Sequence, residues 1–129
     1  MRHHVPDCIP PLVRAGIALD DALALRRVAM TLHRWHEMEC GDDRGAIERD
    51  ETTGRPYWRN AFTGKRYATL DRESGAQKRL ARIMTRYPDL RAYIQGDPRG
   101  AALYILRPGD VPEGESADSY YSRGLAVYK

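Results

Sequence analysis

Between Asp20 and Cys40 the apolar residues Leu25, Val28, Leu32 and Trp35 recur at spacings of three and four, with polar and charged residues between them. A helix turns once every 3.6 residues, so this spacing gathers the four side chains into one stripe. Such a stripe must be buried against other elements, and that requirement bounds the rest of the fold. Asp20 or Asp21 supplies the oxygen of an N-cap, and Gly41 stands where helices commonly leave through a left-handed residue. After the polar turn GDDRG the period changes. Residues 46–70, AIERDETTGRPYWRNAFTGKRYATL, break into short runs punctuated by Thr53-Gly54 and Thr63-Gly64, which predicts three short antiparallel strands.

A second stripe follows in GAQKRLARIMTRY, where Leu80, Ile83, Met84 and Tyr87 stand at helical spacing, Ser74 precedes as a cap and Pro88 stops the helix. RAYIQ and AALYIL then flank the turn GDPRG, in which Pro98 pre-sets its dihedral and the two glycines permit positive ones, a hairpin. Ser116 caps a short helical turn in ADSYYS, and LAVYK reads as a last strand. These elements predict an α+β fold: two helices packed on a small antiparallel sheet, with a three-stranded meander inserted between the helices. Residues 1–18, with Pro6, Pro10, Pro11 and no period, read as a flexible arm, leaving 19–129 as a single domain. GDDRG and GDPRG share the form GDxRG followed by alanine, two tight turns of similar chemistry.

At 129 residues and 42% hydrophobic content the chain suits one soluble domain. No apolar run approaches the roughly 18 residues of a membrane span, and the first residues lack the stages of a signal peptide, so the expected location is the cytoplasm, with no membrane partner. Two cysteines, Cys8 and Cys40, make no disulfide framework.

Charge is segregated. Residues 37–51 carry a net −5, and residues 65–91 a net +5. The second helix presents Lys78, Arg79, Arg82 and Arg86 on its outer face, with Trp58, Tyr67 and Tyr93 nearby in sequence. A basic helical stripe is an electrostatic footprint for phosphate, and arginine adds bidentate geometry and stacking. The same stripe also reads as a solvated face paired with the acids.

Three further constellations bear on chemistry. His33, His36 and Cys40 fall within about a 60° arc of the first helix, spacing that suits a zinc-type ligand set completed by Asp42, His3, His4 or Cys8, or a packed flank beside Trp35. In GDPRG, backbone N–H groups and the Arg99 guanidinium can meet a phosphate while Asp97 orients that guanidinium or accepts from a sugar hydroxyl, although the turn lacks the glycine spacing of a P-loop and also reads as an ordinary structural turn. Ser74, Ser116, Ser119 and Ser122 stand at caps and turns, without the glycine-flanked elbow of a nucleophile. No cofactor is expected, and the chain reads as a binding protein rather than an enzyme.

The segment GRPYWRNAFTGK resembles the middle of a WW domain, with its Gly-Arg-x-Tyr-aromatic-x-Asn series ahead of a threonine turn. The family's ligand-binding tryptophan falls near Ala68, its histidine on Ala61 and its first tryptophan near Ile47, so the meander is implied and the proline-rich ligand is not. Over most of residues 25–129 the chain resembles small proteins of unassigned function encoded by proteobacterial phages and prophages, most specifically in YIQGDPRGAALYI. That resemblance implies an accessory protein in a bacterial host cell. Such a protein acts by stoichiometric binding against a host defence, as anti-CRISPR proteins do, or against a nucleic-acid-processing complex, its partner a host protein or nucleoprotein. On that analogy the acidic run 37–51 imitates phosphate. The alternative is a nucleotide- or nucleic-acid-binding module built on the basic helix and Arg99. A third reading is a small metal-dependent enzyme on His33, His36 and Cys40.

Overall fold

The computed structural model describes residues 7–97 and 99–128, without the side chain of Tyr128. Three helices, α1 (Ile9–Arg14), α2 (Leu19–Cys40) and α3 (Arg72–Met84), combine with two three-stranded antiparallel sheets in an α+β fold. The first sheet contains β1 (Gly45–Arg49), β2 (Pro56–Asn60) and β3 (Arg66–Ala68) in sequential order. The second contains β4 (Arg91–Asp97), β5 (Gly100–Leu106) and β6 (Leu125–Tyr128), with β5 in the middle.

The α2 stripe is buried as its spacing demands: Leu25, Val28, Leu32 and Trp35 are all in the interior, joined by Ala22 and Ala29. Leu25 to Leu32 pack into one core with Leu80 and Ile83 of α3 and Leu103 and Ile105 of β5. Along β5 the odd positions Ala101, Leu103 and Ile105 face this core. On the opposite face, Tyr121 from a 3₁₀ turn stacks on Tyr93, centroids 4.7 Å apart, and meets Tyr104 edge-on at 5.2 Å.

Residues 7–18 depart from the expected flexible arm. They carry α1, and Cys8, Leu12 and Ile17 are buried in the main core. Pro10 and Pro11 fall in the first turn of this helix, where backbone N–H groups have no partner and proline costs nothing. Burial pushes the Cys8 thiol above its ordinary value. Residues 1–6, including His3, His4 and Pro6, lie outside the described residues, as does Pro98 of the GDPRG turn.

The helix starts also differ from expectation. Helix α2 begins one residue before Asp20, with Ala18 as its N-cap, and Asp20 and Asp21 occupy the first turn instead. Helix α3 is capped by Asp71, whose Oδ1 accepts from Ser74 N at 3.0 Å; Ser74 is the residue capped. Gly41, at φ +78°, ends α2 as its sequence position predicts.

The two turns of the first sheet are copies of one another, ten residues apart. Asp50 Oδ1 accepts from Thr52 N and Thr53 N, and Asn60 Oδ1 accepts from Phe62 N and Thr63 N. Thr53 and Thr63 each accept from the residue two further on, at 3.2 Å in both cases. Gly54 and Gly64 take φ of +71° and +72°. The shared pattern, an Asp or Asn followed by two residues, Thr-Gly, a basic residue, any residue and Tyr, therefore specifies a turn and the strand after it.

Candidate functional site

Helices α2 and α3 run antiparallel and are clamped at both ends. At one end Asp21 accepts from Arg86 at 2.6 Å and from the Tyr87 hydroxyl at 2.5 Å, while that hydroxyl accepts from Ala18 N at 2.9 Å. At the other, Trp35 Nε1 donates to Glu39 at 2.6 Å, and the Glu39 carboxyl stands beside that of Glu73. Burial, and then the Glu39 carboxyl, push Glu73 above the ordinary carboxylate range. Arg49 reaches across from β1 to Asp71 at 3.0 and 3.3 Å and to Glu73 at 3.9 Å, with its guanidinium 6.0 Å from the Trp35 ring. Its hydrogen bonds to Asp71 hold that carboxyl low.

Between the clamps a groove of about 500 Å³ opens to solvent, lined by Arg27, Met30, Thr31, Arg34, Trp35 and Met38 of α2 and by Arg72 and Arg79 of α3. On each helix the two arginines stand seven residues apart, two turns, so both project to the same side. Met30 and Met38 supply an apolar, adaptable surface between them. None of the four arginines has a carboxylate within 4.0 Å among the described residues, whereas Arg86, Arg49 and Arg107 each do. Four guanidinium groups without carboxylate partners among the described residues thus border one concave, partly apolar surface, and a guanidinium can hold two oxygens of a phosphate at once.

The structure divides the predicted basic stripe. Arg79 lines the groove, Arg86 is bound to Asp21, and Lys78 and Arg82 are exposed outside the lining. Arg27, Arg34 and Arg72 complete the groove, and sequence reading missed all three. The seven-residue spacing of Arg27 and Arg34 on α2 was the available signal.

The two glycines of the GDPRG hairpin pack against histidines of α2. A Cβ on Gly96 would lie 2.7 Å from the His36 ring, and one on Gly100 would lie 2.3 Å from the His33 ring. The glycines thus let the hairpin close on α2. Asp97 accepts from Arg99 N at 2.7 Å, the same Asx turn that Asp42 makes with Arg44 N at 2.8 Å in the other GDxRG segment. Neither Asp97 nor Arg99 lines the arginine groove.

His33, His36 and Cys40 do not converge. Nδ1 of His33 lies 3.2 Å from the Ala101 carbonyl oxygen, and Nε2 lies 3.1 Å from Glu37. The His36 ring covers Gly96, and Cys40 is exposed at the helix end. Among the described residues no group of three or more His, Cys, Asp or Glu side chains is placed to hold a metal ion.

Most carboxylates of the acidic run 37–51 accept hydrogen bonds within the chain, largely from uncharged donors, so the run keeps its net negative charge. Glu37 meets His33, Glu39 meets Trp35 and Asp42 meets Arg44, while Glu48 accepts from the Tyr57 hydroxyl at 2.9 Å and Asp50 holds its turn. Trp58 of β2 is half-buried and lines a second cavity of about 490 Å³ with Met38, Gly41 and Gly45. Across from Tyr57 stands Ala68, so the aromatic slot of a WW domain has one wall. No helix among the described residues is long and apolar enough to cross a membrane. Comparisons with protein-family models, curated proteins and solved structures find no match.

Proposed function

We propose that this chain is a stoichiometric nucleic-acid-binding protein whose working surface is the groove between α2 and α3. The observation that carries the reading is the set of four arginines, Arg27, Arg34, Arg72 and Arg79, that share one concave surface without carboxylate partners among the described residues. Like charges gathered on packed helices repel, and a phosphate backbone relieves that repulsion while releasing its own counterions. The methionines between them accept the apolar faces of sugars and bases. A protein of this kind acts by occupancy: it withholds a strand from whatever else would bind it. The resemblance to phage and prophage accessory proteins directs that competition at a host nucleic-acid-processing or defence complex, the anti-CRISPR type of action.

The test is the affinity of purified protein for a fluorescent oligonucleotide across a salt series. Four phosphate contacts give a slope of log K against log salt of about −3, and Arg34→Gln with Arg79→Gln lowers its magnitude by about 1.4. An affinity independent of salt, or untouched by that double substitution, overturns the reading.

A further inference from the structure

The arginine groove does not end at the helices. Met38, 44% exposed, lines both it and the second cavity, which continues onto the first sheet at Trp58. There Trp58 of β2 stands directly across from Tyr67 of β3, ring centroids 5.8 Å apart and tilted by 48°. Ile47, the partner of Trp58 on β1, is buried and anchors this row of side chains against the helical body. Successive strands lead outward from it, so Trp58 is half-buried and Tyr67 is 44% exposed. Lys65 brings its ammonium to 5.3 Å from the Tyr67 ring. The acids in the connecting cavity are engaged, Glu37 with His33 at 3.1 Å and Asp42 with Arg44 at 3.1 Å.

From this continuity we propose that the ligand is a single-stranded nucleic acid, with its phosphates along the four arginines and a base stacked on the Trp58–Tyr67 pair; the proposal rests on the groove reading given above. The shape of the groove favours one strand over two. Helices packed at the usual 8–10 Å between axes leave a trough about one side chain deep. A duplex is read by an element that projects into its own groove, whereas a concave channel with basic walls and an aromatic platform tracks a single backbone and stacks its bases. Every base offers a π-face, so recognition is by strandedness rather than by sequence.

The experiment compares three fluorescent twelve-mers at one salt concentration: oligothymidylate, an abasic strand of the same length, and a duplex. It uses the full chain and its Tyr67→Ala variant, chosen because Tyr67 is exposed. Stacking predicts that oligothymidylate binds at least about fivefold more tightly than the abasic strand, and more tightly than the duplex. Tyr67→Ala removes most of the first difference and leaves abasic binding unchanged. Equal binding of the thymidylate and abasic strands overturns the platform while the groove reading stands. Preference for the duplex, or a Tyr67→Ala loss shared equally by both strands, overturns it too. Failure to bind any of the three at low salt overturns the groove reading itself. A separate check guards against misfolding: Trp58→Phe, which keeps an aromatic face, retains the preference for oligothymidylate over the abasic strand, and its loss in a folded variant contradicts stacking by ring area.

Discussion

Replacing Gly100 by alanine tests why the GDPRG turn contains glycine. The new Cβ lies 2.3 Å from both Cε1 and Nδ1 of His33, and an ordinary carbon–carbon contact is about 3.5–4.0 Å, so the ring must withdraw by more than an ångström. Withdrawal breaks its 3.2 Å contact with the Ala101 carbonyl oxygen, a loss of about 0.5–1.5 kcal/mol. Gly100 also sits at φ +141°, a region that L-residues enter at a cost of about 1–3 kcal/mol. The two effects together predict a destabilisation of about 2–4 kcal/mol, a fall in melting temperature on the order of 10 °C for a domain of this size. Urea unfolding followed by far-UV circular dichroism measures it. A double-mutant cycle with His33→Ala isolates the collision: once the ring is gone, Gly100→Ala costs only the backbone strain, and the cycle yields a coupling of about 1 kcal/mol or more. A loss below about 0.5 kcal/mol for Gly100→Ala, or strict additivity in the cycle, refutes the packing account of this turn.

Three other outcomes follow from the same geometry. Glu73 is held above its ordinary value by burial and by Glu39, so its stabilising contribution is full below the unfolded-state value and is lost as pH rises through the folded one; Glu73→Gln therefore raises the urea midpoint at pH 7 relative to wild type and changes it less near pH 4. Asp71, Asp42 and Asp50 are held low, by Arg49, by Arg44 N–H and by Thr53 N–H respectively. Their contribution is present above about pH 4 and disappears as pH falls through their folded values, so the urea midpoint drops below pH 4 and does so less in Asp71→Asn. Leu25 is 0% exposed, and Leu25→Ala costs about 2–5 kcal/mol in the same assay, against less than about 0.5 kcal/mol for Phe62→Ser at the 80% exposed tip of the β2–β3 turn.

What the sequence disclosed and what it hid divide along physical lines. The stripe of Leu25, Val28, Leu32 and Trp35 was legible because helical period and burial are the same fact seen twice. The strands of the first sheet were legible from their Thr-Gly turns, but the equivalence of those turns hid behind the exchange of Asp50 for Asn60, two side chains that hydrogen-bond alike through one oxygen. Helix α1 was missed because prolines were read as breakers, although in a first turn they are tolerated. Basic residues of α3 were read as one stripe, yet pairing across the seam decides which remain available: Asp21 takes Arg86 and leaves Arg79. Such pairing is a tertiary property, and Arg27 and Arg34 gain their place only when α3 lies beside them. The glycines of GDPRG suggested an anion cradle because sequence shows their freedom and conceals the histidine rings that use it.

The most direct test of the central claim is an NMR titration of isotopically labelled protein with a short oligothymidylate, with backbone amide shifts followed residue by residue. The account predicts that the largest changes fall on residues 27–38 of α2 and 72–79 of α3, extend to the Trp58 indole N–H, and leave residues 107–124 unmoved. Changes centred on the hairpin around Arg99 or on residues 107–124, or no change at all at millimolar oligonucleotide in low salt, contradict it.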